Sequence, residues 1–251
     1  WSALSRLVIR PIMTARTGRT HTKQFREERE RAVFVWVDLR SSMFFATQGA
    51  FKAVQAARAA ALLAWSAMHH GDRLGGLLFS QQQHLELRPQ RGKKAVLQFI
   101  RGLVNHSAWH PDYAANDRLI PSATDAIGRL RHVARPGSLV FMLSDFHHLD
   151  SRFEDHLARL SRHSDLIMLS LHDPLEQELP PAGRYRVHNG QDTVSIDTAD
   201  PQQRIQHRSR FEDHQQQLQR LSRRHRMHLI SCRTDEDPVE RLRSGLLLKR
   251  R

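Results

Sequence analysis

The chain has one cysteine, two tyrosines and five lysines among 251 residues, and no long hydrophobic run. Each shortage excludes something. A lone Cys232 cannot form an intramolecular disulfide; at the end of an apolar run it is expected to be a small buried residue, and a cytosolic setting fits. No apolar stretch approaches the ~20 residues that span a bilayer. With so few aromatics outside the apolar runs, there is little on which unpaired bases could stack. Asp38 to Met43 contains no glycine, so no phosphate-cradling loop follows the first strand. Ser144 sits in Leu-Ser-Asp without flanking glycines, which is not a nucleophile elbow.

Basic residues are abundant. Lys+Arg number 39 against 26 Asp+Glu, a formal net charge of +13, with 17 His besides. That balance suits an anionic partner: nucleic acid, an acidic protein surface or anionic lipid. The arginines are spread along the chain, however, which is also the pattern that gene base composition produces. The stretch Pro201 to His225, with Arg204, Arg208, Arg210, Arg220, Arg223 and Arg224, reads either as a nucleic-acid face or as a solvated surface helix.

Three short apolar runs end on aspartate: Val33–Val37 before Asp38, Leu139–Leu143 before Ser144-Asp145, and Leu166–Leu171 before His172-Asp173. Uninterrupted runs of this length are how strands buried on both faces of a parallel sheet read. Around them the pattern alternates. Helices are expected at Phe51–His70, Lys93–Val104, Thr124–Val133, Arg152–His163, Pro201–His225 and Pro238–Leu248. Further strands are expected at Arg73–Ser80, Leu85–Arg88 and Met227–Cys232. The Phe51–His70 helix is apolar nearly all round, with a thin polar stripe at Lys52, Gln55 and Ser66, and should pack inside the protein. Tyr185–Val187 and Val194–Ile196 flank Asn189-Gly190, a hairpin signal. Residues 1–29 are basic and polar without clear periodicity. The expected organisation is a lead-in over residues 1–30 and one α/β domain over 31–251, doubly wound and mostly parallel, with a small hairpin insertion.

Ligands of such sheets bind outside the carboxyl ends of the strands, so Asp38, Asp145 and Asp173 are expected at one rim. The sharpest local motif is Asp38-Leu39-Arg40-Ser41-Ser42-Met43. A carboxylate followed by hydroxyls suits a hard cation such as Mg²⁺; the same residues can instead cap the turn that follows the strand. His147-His148 could bind zinc, but no second pair of matching spacing accompanies them. Asp173 caps the loop at Pro174.

These motifs, together with Phe25 to Arg31, Gly71-Asp72-Arg73-Leu74-Gly75, Leu143 to Phe146, Thr14 to Gly18 and Thr234 to Pro238, resemble the bacterial domain-of-unknown-function family 58, whose core is a von Willebrand factor A-like domain. The resemblance runs from about Thr14 to Arg251. Relatives carry a further β-rich segment upstream, so the chain is expected to be the C-terminal part of a longer protein. The implied fold is the Rossmann-like A domain, with its metal-ion-dependent adhesion site, Asp-x-Ser-x-Ser plus a Thr and an Asp from later loops. Residue by residue, Asp38 fits the first Asp, Ser42 the second Ser, Thr124 the Thr and Asp145 the last Asp. Arg40 stands where the first Ser belongs. A guanidinium cannot coordinate a cation but can replace one through charge-assisted hydrogen bonds. Two arrangements therefore stay open, a Mg²⁺ site and an arginine-neutralised carboxylate cluster. Arg40, Ser41 and His147 would form a partner-binding rim around either. The resemblance further implies association with a MoxR-type AAA+ ATPase and a non-catalytic adaptor or chaperone role. The alternatives are a metal-dependent nuclease or phosphohydrolase, for which the carboxylates are too few, and a basic nucleic-acid-binding domain.

Overall fold

The computed structural model describes residues 8–12, 21–25, 30–110, 123–147, 149–188 and 193–248. Two compact units divide the chain, Trp1–Arg31 and Ala32–Arg251. In the first, β1 (Val8–Ile12) pairs antiparallel with β2 (His21–Phe25). No strand was expected in residues 1–29, where the sequence lacks clear periodicity. Neither VIRPI nor HTKQF alternates, and Pro11 counts against a central strand. A two-stranded ribbon consists only of edges, where proline is tolerated.

The second unit holds a six-stranded sheet in the order β10–β7–β6–β3–β4–β5. Its members are β3 (Ala32–Asp38), β4 (Arg73–Phe79), β5 (His84–Gln90), β6 (Leu139–Ser144), β7 (Asp165–His172) and β10 (His228–Arg233). All neighbours are parallel except β5, which runs antiparallel to β4 at the edge. Counted along the chain within this sheet, the order is 3-2-1-4-5-6, the doubly wound arrangement. The fold is α/β of the von Willebrand factor A type. A separate hairpin, β8 (Arg184–His188) with β9 (Thr193–Asp197), forms the insertion; its Asn189-Gly190 turn lies outside the described residues.

Alternation along β3 explains the two layers. Val33, Val35 and Val37 face one core with the apolar side of α1 (Lys52–His69), α2 (Gly92–Val104) and Leu242 of α7 (Pro238–Leu248). Phe34 and Trp36 face the other, with α3 (Ala123–Val133), α4 (Ser151–Ser161) and Leu218 of α6 (Pro201–Arg224). Both faces of β3, β6 and β7 are therefore buried, so these strands read as unbroken apolar runs. Gly76 of β4 lets α2 approach closely: a Cβ there would lie 2.5 Å from the ring of Phe99. Cys232 is fully buried, and burial pushes its thiol up to about 12, as suits an inert core residue.

Candidate functional site: a carboxylate rim

Because β3, β6 and β7 are parallel neighbours, their carboxyl ends share one rim, and Asp38, Asp145 and Asp173 all arrive there. All three are buried. A buried carboxylate must find charge or hydrogen-bond partners or lose its charge, and each of the three is satisfied differently.

Asp38 is held by its own turn. The chain leaves β3 through a single 3-10 turn at Ser41–Met43, with Arg40 extended before it. That geometry folds the Arg40 side chain back onto Asp38: Nε donates to Oδ1 and Oδ2 at 3.0 Å each, and Nη2 to Oδ2 at 2.6 Å. The Arg40 backbone N–H donates to Oδ1 at 3.0 Å. From the end of β6, the Ser144 hydroxyl donates to Asp38 Oδ2 at 2.7 Å. Burial opposes the charge on Arg40, but Asp38 and, more weakly, Asp145 raise its pKa above the usual value.

Asp145 is held from across the molecule. Lys52, the first residue of α1, is 1% exposed and places Nζ 3.0 Å from Asp145 Oδ2 and 2.7 Å from Glu176 Oε1. Glu176 belongs to the short helix α5 (Pro174–Gln177) that follows β7. The His147 backbone N–H donates to Asp145 Oδ1 at 3.1 Å, and the Ser42 hydroxyl also bonds the carboxylate. Burial alone would raise the Asp145 carboxyl; Lys52, then His147 and Ser42, outweigh it and bring it down to about 2. Lys52 is itself raised above its usual value: burial works against it, and Asp145 and Glu176 prevail. Between Asp145 and His147 the chain passes through Phe146 at φ 55°, a left-handed conformation that costs a bulky residue energy and is held by its surroundings. The Phe146 N–H donates to Ser144 Oγ at 2.9 Å, and its ring is buried in the second core.

Asp173 serves structure. Its side chain and Glu176 form a capping box on α5. It also accepts hydrogen bonds from the Thr47 backbone at 2.8 Å, the Thr234 hydroxyl at 2.7 Å and the Thr47 hydroxyl. Burial pushes this carboxyl up, but the two hydroxyls and two backbone N–H groups lower it overall.

The remaining motif residues divide. Ser42 joins Asp145, and Arg40 faces Asp38. Ser41 is exposed and exchanges hydrogen bonds with Gln81 from the β4–β5 turn. The Thr124 hydroxyl donates to Asp150 Oδ1 at 2.7 Å; the same oxygen caps α4 by accepting from the Phe153 N–H at 2.7 Å. Thr124 thus ties α3 to α4. His147 stacks on His214 of α6, ring centroids 4.3 Å apart; burial, with His214 and Lys52 nearby, lowers its pKa despite Asp145. His148 lies outside the described residues. Lys52 and Ser144 escaped the sequence reading as members of the site. One signal for Lys52 was present: a cation opening a helix sits against the macrodipole, an unfavourable place unless carboxylates lie in front of it.

A Mg²⁺ ion needs about six oxygen donors in near-octahedral geometry. Here the candidate oxygens of Asp38 and Asp145 already hold a guanidinium and an ammonium, and the hydroxyl of Thr124 holds Asp150. As arranged, this donor set does not fit Mg²⁺. Among the described residues, no group of three or more His, Cys, Asp or Glu could hold a metal ion.

Fold and rim together define a doubly wound A-type domain whose motif carboxylates carry the chain's own cations. The family model described as "Protein of unknown function DUF58" matches residues 11–217, and the chain belongs to that family. The uncharacterized protein Rv1480 of Mycobacterium tuberculosis is 26% identical over 226 residues, covering 90% of this chain and 69% of the relative. The uncharacterized protein Mb1516 of Mycobacterium bovis matches at the same level, 26% over 226 residues with the same coverage. Among solved structures, the conserved hypothetical protein BatB of Bacteroides thetaiotaomicron superposes with a TM-score of 0.52 at 12% identity, over 88% of this chain and 98% of that one. An aerotolerance-related membrane protein of Bacteroides fragilis gives 0.52 at 11% identity, over 86% and 99%. At such identities the likeness is one of fold.

Proposed function

We propose that this domain is a non-catalytic protein-interaction module, with the carboxylate rim as a fixed, cation-independent surface. One observation carries the reading: Asp38 and Asp145 are each neutralised from within, by Arg40 and Lys52. A two-metal hydrolase needs carboxylates open to metal and water; carboxylates occupied by buried cations offer neither a general base nor a metal cradle. The Ser144 hydroxyl donates a hydrogen bond to Asp38 at 2.7 Å and accepts one from the Phe146 N–H at 2.9 Å. It acts as a strut between two strands.

The partner we propose is a MoxR-type AAA+ ATPase, with the domain acting as adaptor or chaperone in assembling or activating other proteins. This rests on the family resemblance and on the exposed Ser41 edge of the rim. We place the work in the cytoplasm, on the ATPase's side of the membrane. One structural relative is described as a membrane protein, so fractionation of cells carrying the full-length protein is part of the test. Among the described residues no helix is long and apolar enough to cross a membrane.

The direct experiment is affinity purification of the full-length protein from its own host, unmodified and as Ser41→Arg. Recovery of an AAA+ ATPase with the unmodified protein and its loss with the variant is the expected result. Absence of any ATPase, or metal-dependent cleavage of nucleic acid or phosphoesters by the purified protein, would overturn the proposal.

A further inference from the structure

The rim is flanked on its Asp173 side by a concavity that Thr47 borders. A cavity of about 650 Å³ opens between the loop after β3, helix α5, the β8–β9 hairpin and the start of α6. That volume is within the range of built ligand sites. Its walls are apolar where the chain is richest in proline: Leu175, Leu179, Pro180, Pro181 and Tyr185 border it. Thr47, which holds Asp173, forms one end.

The polar part of the lining is cationic. Arg186, Arg204 and Arg233 reach it, against a single acid, Glu178. Arg233 spends its charge on Asp235 at 2.8 Å. Arg204 does not: its guanidinium donates to the backbone carbonyls of Pro180, Leu179 and Thr198, which fixes it in place without neutralising it. Arg186 is exposed, and among the described residues no carboxylate pairs with it. The groove therefore presents two arginines that, among the described residues, have no ion-pair partner, against the one acid Glu178, over an apolar floor.

Strand β8 adds a third feature. Tyr185 and Arg186 are consecutive, so their side chains point to opposite faces. Both can border one groove if it runs along the edge of the strand. Among the described residues β8 has β9 as its strand partner, and its other edge has no strand beside it, the template for strand addition.

We propose that this groove binds an extended acidic segment of a partner protein, its backbone along β8, its apolar side chains on the Leu175–Tyr185 floor and its carboxylates at Arg186 and Arg204. Charge complementarity selects the occupant. Aromatic and arginine side chains are also those that carry binding energy at protein interfaces. The inference extends the interaction-module reading to a second surface, and its test uses a free peptide, so it stands or falls apart from the ATPase and from the rim.

The probe is a fluorescein-labelled ten-residue peptide alternating Glu with Leu and Phe, read by fluorescence anisotropy on the full chain at physiological salt. Its control has Lys in place of every Glu. Saturable binding of the acidic peptide is expected, weakened about tenfold by Arg186→Glu, since a charge reversal at an interface turns attraction into repulsion. Arg101→Glu, an equal change in net charge on the exposed end of α2, should leave affinity unaltered. Equal weakening by both variants reduces the effect to overall charge and overturns the groove. So does absence of binding to the acidic peptide, or tighter binding of a single-stranded RNA of equal charge that depends on Arg186 in the same way.

Discussion

Asp38 and Asp145 close adjacent parallel strands and each carries a buried cation, but the two cations arrive by different routes. Arg40 lies two residues beyond Asp38, in the same turn, and reaches it by folding back. Lys52 lies 93 residues before Asp145 and reaches it because α1 starts at the rim. Arg40 is also tied to the edge of the structure, with its side chain 10% exposed, whereas Lys52 is 1% exposed. One neutralisation is local and partly wet; the other is tertiary and dry. The difference sets what each costs to break, and how visible each is in the amino-acid sequence.

Removing the dry cation should have the largest effect. Lys52→Met leaves Asp145 buried beside a methyl group, and breaking a buried pair by deleting one partner costs about 3–5 kcal/mol. Urea unfolding should show that loss as a lower midpoint with an unchanged slope. Adding Asp145→Asn to Lys52→Met should recover a large part of it. If the double variant is no more stable than Lys52→Met, the two side chains are not coupled.

Arg40→Ser should cost less, about 2 kcal/mol, the scale of hydrogen bonds to a charged group. Asp38 keeps the Ser144 hydroxyl and the backbone N–H of residue 40, and water can reach the space vacated. A loss equal to that of Lys52→Met would erase the distinction between the wet and dry sites.

What the sequence disclosed follows the same division. The strands ending on Asp38, Asp145 and Asp173 were legible because burial on both faces leaves apolar runs without charges. Arg40 was legible because its place in the motif is also its place in space. Lys52 read as part of a polar stripe on α1, yet two members of that stripe are buried: Gln55 donates to the carbonyls of Thr234 and Glu236, and Lys52 reaches the rim. No local pattern reports a partner 93 residues away. Thr124 shows the converse. It has the residue type and sits at the start of a helix, the place the motif asks for, but a nearer acceptor, Asp150, takes its hydroxyl. The β1–β2 pair went unread because neither strand alternates.

Acid should expose the Asp145 site next. Its carboxyl is lowered from 3.8 to about 2 in the folded chain, so the unfolded state binds this proton first as pH falls. The stabilisation is complete above about pH 4 and is lost as pH drops toward 2. Asp173, lowered as well, adds to the same limb. Thermal midpoints between pH 5 and pH 2 should fall steeply, and less steeply in Asp145→Asn. An identical slope in that variant would remove Asp145 from the account.

The smallest effect belongs to charges outside the rim. Arg208 and Glu212 form an exposed i,i+4 pair on α6 at 2.8 Å. Such a pair is screened by water and salt, and Arg208→Ala should leave the thermal midpoint unchanged within error. A fall comparable to that of Arg40→Ser would mean that burial does not rank these sites.

At this rim the chain's own cations, Arg40 and Lys52, fill the places a metal would take. Titrating Mg²⁺ by isothermal calorimetry into the unmodified chain and into Arg40→Ser tests it most directly. No saturable heat is expected with the unmodified chain at millimolar Mg²⁺, and saturable binding is expected in Arg40→Ser, where the missing motif hydroxyl is restored and Asp38 is uncovered. Stoichiometric binding of Mg²⁺ by the unmodified chain, abolished in Asp38→Asn, would contradict it.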